Sequence, residues 1–198
     1  MYDQRRDYER VRGKQGDKMK ERLRQLIRDK AYQKGHFVLA SGKSSDYYID
    51  ARKITLDSEG AYLVGQIFFE LLRDDDVDAV GGLTLGADPI VTSIAIASFI
   101  QQKPIAAFIV RKEAKGHGTQ KVIEGADLKK GARVVLVDDV LTTGDSILSA
   151  AEKIEPLGVK IIKVLCIVDR RENQKRSTLL EPLGVPVEPL FVVEDIQF

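Results

Sequence analysis

Val134-Val135-Leu136-Val137-Asp138-Asp139-Val140-Leu141-Thr142-Thr143-Gly144-Asp145-Ser146 is the stretch of this chain that decides its fold. Four apolar residues that favour β-structure lead into two adjacent carboxylates and then into a short loop of hydroxyl-bearing residues and glycine. Beyond the loop the apolar residues follow helical spacing, at Ile147, Leu148, Ala150, Ala151 and Ile154. The stretch therefore predicts a buried strand, a loop and a helix in succession.

The loop between that strand and helix carries both hydrogen-bond acceptors and donors. Asp138 and Asp139 follow the strand, where open α/β sheets bind their ligands. The N-terminus of the next helix offers unpaired N–H groups to an anion, and Gly144 allows close approach of the backbone. Hydroxyl donors come from Thr142, Thr143 and Ser146. Simple helix capping explains one such residue but not the whole run, so we interpret the stretch as a phosphoribose site.

Composition excludes several classes of protein. The 198 residues, 43% of them hydrophobic, suffice for one α/β domain with a core. A net charge of +1 does not predict nucleic-acid binding, and the apolar run at residues 90–100 is too short to span a membrane. The single cysteine, Cys166, lies in an apolar run and is expected to be a buried thiol. Since the N-terminus also lacks an apolar signal core, we expect a cytoplasmic protein.

The order of predicted elements indicates the fold class. Strands are predicted at 79–83, 105–110, 133–137 and 160–168, with helices at 61–72, 88–101 and after Ser146. Such alternation favours a doubly wound, mainly parallel α/β sheet flanked by helices. A last strand at 185–193 contains Pro186 and Pro189 and is expected at an edge of the sheet.

The N-terminal part is predicted differently. Residues 1–18 mix acids and bases and are interpreted as a mobile charged leader or frayed helix, ahead of a single domain over 19–198. A helix is predicted over 19–32, ended by Gly35. A hairpin-like element should follow at 37–49, with its turn near Ser41 and Gly42.

Two further loops carry residues suited to a diphosphate. Residues 81–89 form a glycine-rich turn after a strand, which reads either as a plain strand-to-helix turn or as a backbone site for an anion. Residues 111–131 form a long hydrophilic loop that suits a mobile lid. Its first part holds three cations and a histidine: Arg111, Lys112, Lys115 and His117.

The opening stretch resembles the PRPP-binding motif of type I phosphoribosyltransferases, where PRPP is 5-phosphoribosyl 1-diphosphate. The resemblance implies the fold of that family, with a small hood at about 36–58. It also implies that Asp138 and Asp139 face the ribose hydroxyls. The following residues would wrap the 5′-phosphate: Leu141, Thr142, Thr143, Gly144, Asp145 and Ser146. Val140 is also expected to bind PRPP.

The run from Arg111 to His117 resembles the catalytic loop of orotate phosphoribosyltransferases. This implies that Arg111, Lys112, Lys115 and His117 contact the diphosphate, with Lys115 and His117 as catalytic residues beside the two aspartates. It also implies a homodimer whose lids reach the neighbouring subunit's site, with Lys112 a candidate for serving the other chain.

Two segments imply the base. Residues 39–49 resemble the family's hood element, which places Tyr48 and Ile49 along the orotate ring. Residues 168–172 resemble its Asp-Arg-x-Glu motif, which implies that Arg170 binds the orotate carboxylate and that Thr142 hydrogen-bonds the base. Ala40 and Leu85 depart from the pattern, since many relatives have lysine there.

The implied activity is transfer of phosphoribose from PRPP to orotate in pyrimidine biosynthesis, with Mg²⁺ held mainly by PRPP rather than by protein side chains. Two alternatives remain open: a phosphoribosyltransferase acting on a purine or other base, and a regulator that binds PRPP without catalysis.

Overall fold

Strands and helices alternate along the computed structural model, which describes residues 4–38, 44–113, 122–171 and 180–197. The helices are α1 (Gln4–Leu26), which a π-helical turn (Ile27–Ala31) continues, α2 (Arg52–Thr55), α3 (Ser58–Leu72), α4 (Asp88–Ile100), α5 (Asp145–Ile154) and α6 (Val193–Ile196). The strands are β1 (Tyr32–Val38), β2 (Ser44–Ile49), β3 (Ala79–Leu83), β4 (Ala106–Val110), β5 (Ile123–Gly125), β6 (Arg133–Leu141), β7 (Lys160–Asp169) and β8 (Val187–Val192). Two 3₁₀ turns span Glu155–Leu157 and Glu181–Leu183.

A six-stranded sheet in the order β5-β4-β3-β6-β7-β8 forms the centre. Neighbouring strands are parallel, except that β5 runs antiparallel to β4. Parallel pairs need crossover connections, and α4 and α5 supply them after β3 and β6. The predicted doubly wound, mainly parallel sheet is confirmed, and β8 lies at its edge as its prolines predict.

The apolar run at the start of β6 packs on both faces of the sheet. Val134 and Leu136 join the core beneath α5, whereas Val135 and Val137 join the larger core that includes Phe68 of α3. All four residues are buried. A continuous apolar run, rather than an alternating one, is what a strand covered by helices on both faces requires.

Strand β6 is longer than predicted. The prediction ended it at residue 137, but it continues to Leu141, with Asp138 opposite Cys166 and Leu141 opposite Asp169 of β7. On its other side β6 pairs with β3 only as far as Leu136. The two carboxylates therefore lie within the end of a strand that is paired on one side, not in the loop after it.

The N-terminal predictions need correction at one point. Helix α1 runs from Gln4 to Leu26 and so crosses the predicted boundary at residue 18 without a break. That residues 1–18 form a mobile leader stays a prediction. Gly35 does not end the helix, because the backbone is already extended at Tyr32, which pairs with Ile49. Strands β1 and β2 form the predicted hairpin with an earlier start. Its predicted turn, at Ser41 and Gly42, lies outside the described residues.

Cys166 is buried in β7, as predicted, and burial raises the pKa of its thiol well above the usual value. Among the described helices, none has the length and apolar character that crossing a membrane requires.

Candidate active site

A cleft of about 560 Å³ opens at the carboxyl ends of β3 and β6. The chain leaves β3 for one half of the sheet, while β6 begins the other half. Such a reversal of strand order creates a crevice outside the strand ends, which is where open α/β sheets bind ligands. Residues from the end of β2, the β3–α4 turn, the β6–α5 turn and the end of β7 line it.

Asp138 and Asp139 both line this cleft. The Asp139 N–H donates to Asp138 Oδ1 at 3.0 Å, and the Val140 N–H donates to Asp139 Oδ1 at 2.8 Å. These bonds orient the two carboxyl groups at the end of the strand. Carboxylate oxygens accept hydrogen bonds and so suit the hydroxyls of a sugar.

The Asp138 carboxyl group is difficult to ionise. Burial, together with the neighbouring charge of Asp139, raises the pKa of Asp138 to about 8. At neutral pH the Asp138 carboxyl group of the free protein therefore keeps its proton. A ligand that stabilises the ionised form of Asp138 would release this proton on binding.

The turn from β6 into α5 presents a helix N-terminus to the cleft. Gly144 precedes α5 with φ 88°, a left-handed conformation that favours glycine. Gly144 has no side chain to cap the first turn. The Asp145 N–H donates to Thr143 Oγ1 at 3.4 Å, which leaves the N–H groups of Ser146 and Ile147 to offer to an anion. Four of the predicted phosphate-loop residues line the cleft: Thr142, Thr143, Asp145 and Ser146.

The three remaining members of the motif do not all lie in the same place. Val140 lines the cleft, but Leu141 and Gly144 do not. The Leu141 side chain is buried in the core with Ile147. Any contact of Leu141 or Gly144 with a phosphate would therefore have to come from the backbone.

The β3–α4 turn packs directly against the acid pair. A Cβ atom on Gly86 would lie 2.8 Å from Asp139 Oδ1 and 3.3 Å from Asp138 Oδ1. The Thr84 hydroxyl donates to Asp88 Oδ2 at 2.7 Å within the turn, and the Thr84–Leu85 peptide bond is cis. A side chain at position 86 would push the Asp139 carboxylate away from the Val140 N–H that it accepts from, which gives a reason for one glycine of this turn.

Arg170 lines the opposite end of the cleft. Its guanidinium lies 4.3 Å from the centre of the Tyr47 ring, and Nε donates to the Tyr47 hydroxyl at 3.3 Å. The adjacent Arg171 is instead buried in an ion pair with Asp169, with Nη2 and Oδ2 2.9 Å apart. The buried pair anchors the end of β7 and leaves Arg170 facing the cleft.

Tyr48 and Ile49 also line the cleft, at the end of β2. Sequence reasoning assigned no role to Tyr47, the residue that contacts Arg170. Alternation along the strand places Tyr47 and Tyr48 on opposite faces. Tyr47 stacks on Tyr32, whereas Tyr48 packs near Phe37. Two adjacent tyrosines in a predicted strand were the only sequence signal for Tyr47, and the strand places their two rings in different surroundings.

Arg111 and Lys112 begin the predicted lid. Lys112 lines the cleft, and Arg111 Nη1 lies 3.7 Å from Glu124 Oε1. Lys153 of α5, which sequence reasoning missed, donates to the carbonyl oxygens of Arg111 at 3.2 Å and Lys112 at 2.7 Å. The base of the lid is thus tied to the helix of the phosphate loop. Lys115 and His117 lie outside the described residues.

Asp50 and Arg52 were also missed by sequence reasoning. Both line the cleft, and Arg52 Nε donates to Asp50 Oδ1 at 2.9 Å. This bond and the Asp50 charge raise the pKa of Arg52. The only sequence signal for Arg52 was its position three residues after the segment 39–49 that resembles the hood element.

Comparisons with known proteins agree with this geometry. The phosphoribosyl transferase domain family matches residues 55–180. The orotate phosphoribosyltransferase of Nostoc is 42% identical over 90% of this chain and 85% of its own length. The chain belongs to the orotate phosphoribosyltransferase family. That membership confirms the resemblance found in the sequence motifs and makes this protein a member of a pentosyltransferase family.

Solved structures of the family have the same fold. The orotate phosphoribosyltransferase of Mycobacterium tuberculosis with Fe(III) dicitrate has a TM-score of 0.78 and 37% identity, over 91% of this chain and 99% of that one. A structure of the Mycobacterium enzyme in complex with PRPP has a TM-score of 0.73 and 34% identity, over 90% and 98% of the two chains.

The raised pKa of Asp138 predicts a pH-dependent stability. The folded carboxyl keeps its proton to about pH 8, whereas the unfolded one loses it near its ordinary value of 3.8. The free energy of unfolding of the wild type should therefore fall, relative to that of Asp138→Asn, as the pH rises between these values. Urea unfolding of both proteins across that range measures the difference. A difference independent of pH would contradict the raised pKa.

Proposed function

We propose that this protein transfers the phosphoribosyl group of PRPP to orotate, giving orotidine 5′-monophosphate and pyrophosphate in pyrimidine biosynthesis. The observation that carries the proposal is that one cleft is lined by an acid pair, by the N-terminus of a helix and by an arginine. These features match a ribose, a phosphate and a carboxylated base respectively. The relative that binds PRPP, similar over most of its length, supports the same substrate.

The acid pair and the phosphate loop position the sugar. Asp138 and Asp139 accept hydrogen bonds from the ribose hydroxyls, while the N–H groups at the start of α5 and the hydroxyls of Thr143 and Ser146 donate to the 5′-phosphate. Ionised carboxylates beside the ribose also stabilise the positive charge that develops on the ring. Such charge is expected of a transition state with oxocarbenium character, as in glycosyl chemistry.

Arg170 and the hood position the base. The guanidinium of Arg170 holds the orotate carboxylate through paired hydrogen bonds. The Tyr47 ring, against which the guanidinium packs, keeps it in position. Tyr48 and Ile49 provide apolar contact along the ring, and Thr142 hydrogen-bonds the base. The orotate N1 then attacks the anomeric carbon as the bond from that carbon to the diphosphate oxygen breaks.

The lid residues act on the leaving group. Arg111, Lys112, Lys115 and His117 neutralise the diphosphate, and closure excludes water from the reaction. The proton that orotate N1 gives up is balanced by one on pyrophosphate, which His117 or Lys115 supplies. Lys153 holds the backbone from which this lid extends.

The cleft suits a substrate that brings Mg²⁺ with it. The carboxylate oxygens of Asp138 and Asp139 are hard donors of the type Mg²⁺ prefers, and two of them leave most of its positions to phosphates and water. When bound with PRPP, Mg²⁺ would add charge neutralisation at the diphosphate.

We also propose a homodimer in which each lid serves the neighbouring site. Helix α4 exposes Ile96, Phe99 and Ile100 on one face, and residues 89–102 contain no charged residue. A contiguous uncharged apolar face suits association with an identical face. Asp88 at the start of α4 lines one groove with Arg111 and Lys112 of the lid base, whereas the proposed dimer face lies at the other end of this helix.

A cytoplasmic location completes the proposal. Its support is the unpaired, buried thiol of Cys166, which suits a reducing compartment.

Substrate selection provides the direct test of the activity. The protein should consume orotate when supplied with PRPP and Mg²⁺, because only a carboxylated base satisfies Arg170. Orotate loss and pyrophosphate release are measured beside parallel assays with adenine and hypoxanthine. Consumption of a purine in place of orotate would favour a purine phosphoribosyltransferase, and PRPP binding without any turnover would favour a regulator.

Arg170→Gln tests the role of the guanidinium. The KM for orotate should rise by about 10- to 100-fold, the range for loss of a charge-assisted hydrogen-bond pair, while the KM for PRPP stays unchanged. Lys129→Gln, at the opposite end of the sheet near the start of β3, is the matched control and should change neither value. An equal rise in both KM values would rule out selective carboxylate recognition.

Subunit complementation tests the shared lid. The double variant Asp138→Asn/Asp139→Asn and the double variant Lys115→Ala/His117→Ala should each be inactive. The coexpressed population should regain about a quarter of wild-type activity, since about half of randomly assorted dimers are mixed and each mixed dimer has one complete site of two. Sedimentation establishes the dimer, and coexpression ensures mixing. Mixed dimers without activity would show that each lid serves its own chain.

A further inference from the structure

The cleft contains few cations for a ligand as anionic as PRPP. Among its described lining residues the basic ones are Arg52, Lys112 and Arg170, against the acidic Asp50, Asp138, Asp139 and Asp145. Arg170 lies over Tyr47 at the base end, and Lys112 lies at the base of the lid. Arg52 is therefore the described cation that neither the base nor the lid accounts for.

Arg52 is located beside the β3–α4 turn. It lines the cleft together with Leu85, and both residues also line the adjoining groove between α2 and α4. The turn contains no basic residue from Gly81 to Pro89, so its backbone N–H groups are the donors that it offers to an anion. Arg52 brings a full positive charge to this wall from α2.

The Arg52 side chain is held in place yet open to a ligand. Nε is bonded to Asp50 at 2.9 Å, and the Asp50 N–H in turn donates to the Ala31 carbonyl oxygen at 3.1 Å. Within the described part of the chain, the Nη groups make no hydrogen bond, and the side chain is 46% exposed. A guanidinium fixed through one nitrogen presents its remaining donors as a fork that matches phosphate oxygens.

The charge of Arg52 also reaches the acid pair. Asp139 is among the groups that raise the pKa of Arg52, which places the guanidinium within electrostatic range of the ribose end of the site. An exposed Arg–Asp pair contributes little to stability. Stabilisation of the fold is therefore a weak reason for this arginine, and ligand binding is a stronger one.

We propose that Arg52 binds the diphosphate of PRPP and the pyrophosphate product, on the wall of the cleft beside the β3–α4 turn. The inference rests on the proposed function, since it assumes a diphosphate substrate. It gives this wall a cation whose position is set by the hydrogen bond to Asp50 and not by the predicted lid.

Ligands with and without a diphosphate provide the test. Calorimetry measures the affinities of wild type and Arg52→Gln for PRPP, for Mg²⁺-pyrophosphate and for orotidine 5′-monophosphate, which lacks the diphosphate. Arg52→Gln should weaken the first two by about 10- to 100-fold, the range for loss of a charge-assisted contact, and leave the third unchanged. Arg52→Lys should recover part of the loss, because it restores the charge without the fork.

Lys53→Gln is the control, since it removes an exposed charge from the next residue of α2, which does not line the cleft. It should bind all three ligands like the wild type. Unchanged pyrophosphate affinity in Arg52→Gln, or equal weakening for all three ligands, would overturn the inference while leaving the proposed function intact. A wild-type protein that binds neither PRPP nor pyrophosphate would overturn both.

Discussion

The close packing of the β3–α4 turn on the carboxyl groups of Asp138 and Asp139 is the constraint on which the site depends. Strands β3 and β6 separate after Gly81 and Leu136, and the turn fills the start of the gap. A side chain at Gly86 would occupy the space of the Asp139 carboxylate. The backbone of the turn, the acid pair and the start of α5 therefore meet in one cleft, where a ribose can be held between two anion-binding segments.

The electrostatics of this cleft follow from the same packing. Burial at the end of the strand and the neighbouring charge of Asp139 raise the pKa of Asp138. Asp138 therefore keeps its proton in the free protein. The cations lie around the rim instead: Arg170 over Tyr47, Lys112 at the lid base and Arg52 beside the turn. Each end of the cleft thus suits a different part of a substrate with separated negative groups.

The sequence predicted the sheet and most of the residues that line the cleft, because both depend on local sequence patterns. The continuous apolar run before Asp138 indicates a strand that is buried on both faces. The acids, hydroxyls and glycine that follow it are consecutive in the sequence, so the motif is visible without the fold. Residues brought together by the fold alone were missed. Tyr47 meets Arg170 across 123 positions of sequence, and Lys153 reaches the lid base across 41, so neither contact has a local signal. The end of β6 was also misplaced, since its last four residues pair only with β7.

A crystal structure of the complex with orotidine 5′-monophosphate is the decisive measurement, because this product spans the acid pair, the phosphate loop and Arg170. We expect the ribose hydroxyls within hydrogen-bond distance of Asp138 and Asp139, the phosphate at the first turn of α5, and the carboxylate on Arg170. A phosphate bound away from α5, or a ribose that does not contact the acid pair, would contradict this expectation.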